Sequence, residues 1–225
     1  MRLNGFKAIV TGAMGGIGSS IVKAFIDEGA FVACADVPEL ANSKTIQSID
    51  RENNKSFFLP VDLRNDESIK SMVFKATDTL GGLDILVNNA GIGTPGKLLD
   101  TQISDWNEMI SINLTGTFLT SKYSLPNLLK NGGGTIINMA SAAALKGVKD
   151  RAGYSTTKGG LVSLTQSIAI DYIDQGLRCN AICPATVDTP WIHRMISHYP
   201  NPEAEFESMV ARQPMGRLGQ PDEIA

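Results

Sequence analysis

The sequence predicts an α/β fold: a doubly wound parallel sheet with helices on both faces. Three observations carry this. Short apolar runs alternate with amphipathic stretches of ten or more residues, the signature of βαβ units. A glycine-rich turn joins the first strand to the first helix. Acidic or amide residues stand where later strands end, at Asp36, Asp62 and Asn88-Asn89.

In chain order, Lys7–Thr11 (KAIVT) is expected to be the first buried strand, and Ile17–Glu28 a helix closed by Gly29. Phe31–Ala35 (FVACA) is the second strand, followed by a weaker helix over Leu40–Glu52. Ser56–Val61 is the third strand, with a helix from Asp66 to Leu80, and Ile85–Asn88 is the fourth. A long helical stretch covers Ser104–Lys130, broken near Ser111–Asn113. Thr135–Met139 is the fifth strand, Tyr154–Asp174 a helix and Leu177–Cys183 the sixth strand. Right-handed crossovers put the helices on both faces. An irregular stretch from Pro190 to Met215 is expected next. Gln220–Ala225 then looks like a helix start, with Asp222 and Glu223 in the first turn after Pro221. A helix that stops where it starts suggests a truncated or partly unobserved sequence. No repeat or linker interrupts it, so one nucleotide-binding domain over 1–225 is expected, with a lid at about 188–216.

Composition narrows the partners. The apolar share of 43% and charged share of 19% are ordinary for a soluble globular protein. The net charge of -3 comes with no basic stripe, so nucleic acid is not an expected partner. Cys34, Cys179 and Cys183 are too few and too scattered for a disulfide framework and fit a reducing compartment. No signal pattern precedes the first strand and no apolar run is long enough to span a membrane. A cytoplasmic protein without membrane association is expected.

Thr11-Gly12-Ala13-Met14-Gly15-Gly16-Ile17-Gly18 follows the first strand and opens the first helix. Glycines there permit a tight turn, and the helix N-terminus offers N–H groups and a positive dipole end to a pyrophosphate. Such a turn also occurs without any ligand; its position after strand one is the context the motif needs. Asp36 ends the second strand at about the distance where an acid binds the adenosine ribose. A carboxylate there repels a 2′-phosphate. No Arg or Lys lies between Gly12 and Gly18 or directly after Asp36, which favours NAD over NADP.

Tyr154 and Lys158 stand four apart at the start of a helix, so their side chains share one face. A free tyrosine has a pKa of about 10, too high for a base at neutral pH. A nearby ammonium favours the phenolate and makes the pair a usable general acid/base. Alone, the pair reads equally as an ordinary helix-surface contact. Ser141 lies thirteen residues upstream of Tyr154, just past the fifth strand, and Asn113 lies in Ser111-Ile112-Asn113-Leu114-Thr115-Gly116. Separately these read as a loop serine and a helix-kink asparagine.

Together these motifs resemble the classical short-chain dehydrogenase/reductase family over essentially the whole chain. The resemblance implies a Rossmann-type fold, with six strands visible and the family's usual further helix and seventh strand expected to be missing from this chain, and an NAD-dependent oxidoreductase acting on a secondary alcohol or ketone. It implies Tyr154 as general acid/base, Lys158 lowering the tyrosine pKa and holding the nicotinamide ribose, and Ser141 bonded to the substrate oxygen. Asn113 would anchor a water that relays protons from Lys158. Gly12, Met14, Gly16, Ile17 and Gly18 would cradle the cofactor; Asp62 and Leu63 would lie beside adenine. Asn89, Ala90 and Gly91 would shape the cleft, and Pro184, Val187 and Thr189 would meet the nicotinamide end. Ala185 replaces the family's usual glycine, a change expected to be harmless.

MAS, KGV, YSTTK and QGLRCN between Asn138 and Asn180 are similar to a branch acting on small hydroxy acids and sugar acids, 3-hydroxybutyrate dehydrogenases included. Arginine binds carboxylates bidentately. Arg151 and Arg194 are therefore candidate substrate contacts, whereas Arg212 reads equally as a solvated surface residue. His193 and His198 lack carboxylate neighbours at ligand spacing, so no metal is expected. Trp191 and Met195 read as lid packing. Family habit implies a homotetramer, or a homodimer, through the helices at Ser104–Lys130 and Tyr154–Asp174. Two rivals remain: a methyltransferase-type domain, which has no need of the Ser141, Tyr154 and Lys158 set, and a catalytically impaired dinucleotide-binding scaffold.

Overall fold

A computed structural model describes residues 1–41, 55–130 and 132–225. Six parallel strands form one sheet: β1 (Lys7–Thr11), β2 (Phe31–Asp36), β3 (Ser56–Pro60), β4 (Ile85–Asn88), β5 (Thr135–Met139) and β6 (Arg178–Ile182). Their spatial order is β3-β2-β1-β4-β5-β6. β1 therefore lies between β2 and β4, where the strand order reverses. A parallel sheet covered on both faces needs strands that are apolar throughout, and Ala8, Ile9 and Val10 are all fully buried.

The helices flanking the sheet are α1 (Gly16–Asp27), α2 (Asp66–Leu80), α3 (Ile103–Met109), α4 (Gly116–Leu129) and α5 (Ala152–Asp171). Side chains alternate across each strand. Ile9, Leu86 and Ile136 thus join Ile69 and Met72 of α2, Leu128 of α4 and Ile168 of α5 in one core layer. Val10, Val32 and Val87 join Ile21, Val22 and Ile26 of α1 in the other. α2 carries both end signals that its sequence promises: the Asn65 side chain accepts the Ser68 N–H at 2.9 Å, and Gly81 closes it in the left-handed region.

Two expectations change. The stretch over Ser104–Lys130 is not broken. A wide π turn at Ile110–Thr115 joins α3 to α4, and both flanking residues keep right-handed helical angles. The segment after Pro190 is not irregular but holds α6 (Pro190–Ile196) and α7 (Pro202–Ala211). Each starts with proline behind a capping side chain: Thr189 accepts from the Ile192 N–H and Asn201 from the Ala204 N–H. They close a small core of their own with Ile192, Ile196, Met209 and Leu218. The helix expected at Leu40–Glu52 falls largely outside the described residues; Pro38–Leu40 makes a single 3₁₀ turn. The last residues open α8 (Pro221–Ile224), where Gln220 and Glu223 form a capping box.

The turn between β1 and α1 is as tight as sterics permit. Gly12 takes φ +62°, and a Cβ on Gly18 would lie 2.0 Å from the Gly12 carbonyl oxygen. Gly18→Ala is expected to cost roughly 1–3 kcal/mol, read as a lower midpoint in chemical denaturation. Gly147→Ala, whose added methyl meets nothing within 4 Å, should leave the midpoint unchanged.

Candidate functional site

The C-terminal ends of β1, β2, β4, β5 and β6 bring most of the predicted residues to one crevice. At its centre the Asn89 amide donates to the carbonyls of Thr11 (3.1 Å) and Gly12 (3.0 Å). Thr11 Oγ1 accepts the N–H groups of Asn89 and Ala90 in return. This clamp brings the glycine turn so close to β4 that a Cβ on Gly12 would sit 2.8 Å from Ala90 Cα.

The turn has the donors an anion needs. Gly15 caps α1 without a side-chain bond. The N–H groups of Gly16, Ile17 and Gly18 have no protein acceptor among the described residues. Three orphan donors at a helix N-terminus suit a pyrophosphate. Asp36 stands beside them, its carboxylate accepting the N–H groups of Met14 and Val37, both at 2.8 Å. Burial outweighs those two bonds and pushes its pKa up. The segment after β6 lies over the same turn: a Cβ on Gly16 would be 2.8 Å from the Thr189 methyl. Pro184 takes the Ala142 N–H at 2.8 Å, tying this segment to Ser141. Val187 is buried. Asp150 is the only described non-glycine residue with positive φ, so Ala185 sits in backbone free of left-handed strain. Asp62 is engaged elsewhere, its two oxygens accepting from the Arg64 guanidinium in a surface pair that holds its pKa down. Leu63 is buried against α4: a Cβ on Gly116 would lie 2.9 Å from its carbonyl oxygen.

Deeper in the crevice, α5 presents Tyr154 and Lys158. Lys158 is almost wholly buried and donates to the Met139 carbonyl at 2.7 Å. A Cβ on Gly91 would lie 3.2 Å from its Nζ and 3.3 Å from Asn113 Oδ1, so the three residues meet. Asn113 comes from the π turn and is fully buried. Its amide bonds the Ile92 N–H and carbonyl, both at 2.8 Å, and Thr157 Oγ1 at 3.0 Å. Its side chain therefore pins the strand-four loop to α5, which leaves little of it for a water. Thr157 and Gly93 were not singled out in the sequence. A Cβ on Gly93 would lie 2.8 Å from Tyr154 Cδ2, so only glycine lets that loop lie on the ring.

The electrostatics differ from the simple expectation for a Tyr–Lys pair. Burial pushes Tyr154 above its ordinary 10.0; a hydrogen bond from Ser141 and the charge of Arg151 pull it back in part. Lys158 Nζ lies 5.7 Å from the tyrosine ring centre. Burial lowers its own pKa from 10.5 to about 8, the nearby Cys183 opposing this. Ser141 and Arg151, rather than Lys158, are the groups that favour the phenolate in this structure.

A cleft of about 560 Å³ opens along the loop whose Gly93 lies on the Tyr154 ring. Gly93, Thr94 and Pro95 form one wall; Trp191, Arg194 and Met195 of α6 form the other. Arg151 reaches it through Met195, with Nη2 3.1 Å from the thioether sulfur. Arg212 is instead paired with Glu205 at 3.7 Å, which makes it a surface residue. His193 does have a carboxylate neighbour, Asp188 at 2.7 Å, and stacks on Phe206. Among the described residues no third potential ligand joins this pair, and no helix is long and apolar enough to cross a membrane.

The chain is similar to known proteins over its whole length. Residues 12–225 match the family described as enoyl-(acyl carrier protein) reductase. The whole chain is 39% identical to an uncharacterized oxidoreductase of Thermotoga maritima, over 89% of that protein. It is 37% identical to dehydrogenase/reductase SDR family member 6 of Danio rerio, over 88% of that protein. It is also 37% identical to the 2-keto-3-deoxy-L-fuconate dehydrogenase of Xanthomonas campestris, over 73% of its length. The crystal structure of gox2181 superposes with a TM-score of 0.91 at 30% identity, covering 99% of this chain and 86% of that one.

The buried lysine makes a stability prediction. Its folded pKa of about 8 lies below the ordinary 10.5, so the unfolded chain binds the extra proton between those values. The cost of burying the charge is complete below pH 8 and disappears as pH rises to about 10.5. Lys158→Met should therefore be more stable than the parent at pH 7, by roughly 1–3 kcal/mol after the lost Met139 bond is counted. The difference should shrink steadily above pH 8 in denaturant titrations.

Proposed function

The chain belongs to the short-chain dehydrogenase/reductase family, and from that membership we propose that it is an NAD-dependent dehydrogenase of small hydroxy acids or sugar acids. Members of the family are oxidoreductases that generally use a nicotinamide dinucleotide. The finer reading rests on Asp36 for the cofactor and on two arginines for the substrate.

Gly12, Gly16, Ile17 and Gly18 hold the pyrophosphate at the α1 N-terminus. Met14 contributes through its N–H bond to Asp36, and Asp36 meets the adenosine ribose. A half-buried carboxylate with no basic partner among the described residues opposes a 2′-phosphate, which supports NAD over NADP. Asp62 and Leu63 border the adenine. Asn89, Ala90 and Gly91 shape the floor, and Pro184, Val187 and Thr189 close the nicotinamide end. When bound, NAD supplies the acceptor for the hydride.

Tyr154 takes the proton from the substrate hydroxyl, and gives it back in the reverse direction. Ser141 has one hydroxyl proton: it serves Tyr154 while the site is empty and is donated to the substrate oxygen when substrate binds. Lys158 is held by Met139 where it can meet the nicotinamide ribose, and Asn113 fixes the loop between them. A tyrosine raised by burial means that oxidation speeds up as pH rises into the alkaline range.

The observation that carries the substrate class is a pair of arginines beside the cleft without carboxylates. Arg2, Arg64, Arg212 and Arg217 each pair with an acid, and Arg178, at the start of β6, donates to the Thr135 hydroxyl. Arg151 and Arg194 flank the cleft, and neither has a carboxylate partner among the described residues. Unneutralised guanidinium groups beside an acid/base tyrosine suit a carboxylate-bearing alcohol. No metal is needed for this chemistry. Self-association, as a tetramer or dimer, is assigned to α4 and α5, where Phe118 and Ile170 are exposed, and the enzyme is placed in the cytoplasm.

The test is turnover of a panel of 3-hydroxy acids, aldonic acids and neutral secondary alcohols with NAD. Acids should react and neutral alcohols of equal size should not. Tyr154→Phe should lower kcat by about 10²–10⁴-fold while leaving NADH affinity near the parent value. A Tyr154→Phe enzyme with parental turnover would contradict the assignment.

A further inference from the structure

Asp150 stands just before the arginine that precedes α5, in left-handed backbone at φ +57°. A residue with a Cβ adopts this region at a cost, Asp and Asn less than most. The twist places its carbonyl. That oxygen accepts the Gly96 N–H at 2.9 Å and Arg151 Nη1 at 3.2 Å. Gly96 and Arg151 also form an isolated parallel bridge. The loop ending at Gly96 carries Gly93, which lies against the Tyr154 ring, and forms one wall of the cleft. Arg151 touches Met195 on the opposite wall. Asp150 Oδ1 is buried without a partner, so the main-chain carbonyl, not the carboxylate, holds the guanidinium.

We propose that Asp150 is a positioning residue: its left-handed backbone anchors both the Gly96 amide and the Arg151 guanidinium, and so sets the substrate-facing cation and the loop against Tyr154 together. This rests on the reading of Tyr154 as acid/base and Arg151 as a carboxylate contact. Nη1 is held by a carbonyl, whereas Nη2 is held only by a thioether, a weak acceptor. A substrate carboxylate displaces the sulfur and finds the guanidinium already oriented. Ordering before binding lowers the cost of binding itself. The effect falls on KM rather than on kcat.

The experiment compares Asp150→Ala with Asp150→Gly and Asp150→Asn, since glycine and asparagine accept the left-handed region and alanine resists it. KM and kcat are measured with the acid that turns over best in the panel, alongside hydrogen exchange of residues 93–97, which needs no substrate. Asp150→Gly and Asp150→Asn should stay within about twofold of the parent KM. Asp150→Ala should raise KM on the order of tenfold, with a smaller change in kcat and faster exchange at 93–97. In an Arg151→Gln background the same alanine should raise KM no further, because its effect runs through Arg151. Unchanged KM and exchange in Asp150→Ala, or a full additive rise on top of Arg151→Gln, would overturn the proposal. Parental turnover by Tyr154→Phe would instead overturn the reading beneath it, and the exchange measurement would still decide whether Asp150 anchors the loop.

Discussion

The rest of the site depends on how closely β1 and β4 approach at their C-terminal ends. The strand order reverses between them, so the chain leaves the two strands toward opposite faces and a crevice opens. The Asn89 amide closes its floor by bonding Thr11 and Gly12 together. With that bond in place the glycine turn lies against Ala90, and α1 is aimed with its free N–H groups along the crevice. Gly91 then runs past Lys158 and Asn113, which reach it from α5 and the π turn. The nucleotide end and the chemical end thus share one backbone segment, 89–93.

The two halves of the site are built differently. The side chains proposed to be catalytic project from sheet-backed elements and are locked by buried bonds: Asn113 to Ile92 and Thr157, Lys158 to Met139. Such groups cannot move without exposing unsatisfied polar atoms. The outer wall, α6 and α7, has its own small core around Ile192, Ile196 and Met209. In the proposed reading, chemistry sits on the sheet-backed part and substrate choice on the outer wall with its separate core.

Much of this was legible in the sequence because parallel strands buried on both faces leave continuous apolar runs. KAIVT and ILVN give their strand limits to the residue. The glycine turn, Asp36 and the Tyr–Lys pair were legible because their chemistry demands fixed spacing. Other features depend on contacts that no local pattern encodes. The π turn at Ile110–Thr115 has no distinctive residues; it read as a break because Asn113 is a poor helix former. α6 and α7 are short and bury their apolar residues on each other, so periodicity failed, although Thr189-Pro190 and Asn201-Pro202 were cap signals in plain view. Glu205 neutralises Arg212 from seven positions away, once α7 forms. Asp188 meets His193 only when the chain turns into α6. Four-residue spacing places Lys158 near the tyrosine but says nothing of burial, which has the largest effect on both groups.

The most direct test of the central claim, that these strand ends form one NAD site, is titration of the purified protein with NADH and separately with NADPH, following nicotinamide fluorescence. Saturable enhancement with NADH, at least tenfold weaker with NADPH and weakened by Asp36→Ala, is the predicted result. Absence of binding by either dinucleotide, or preference for NADPH, would contradict the account.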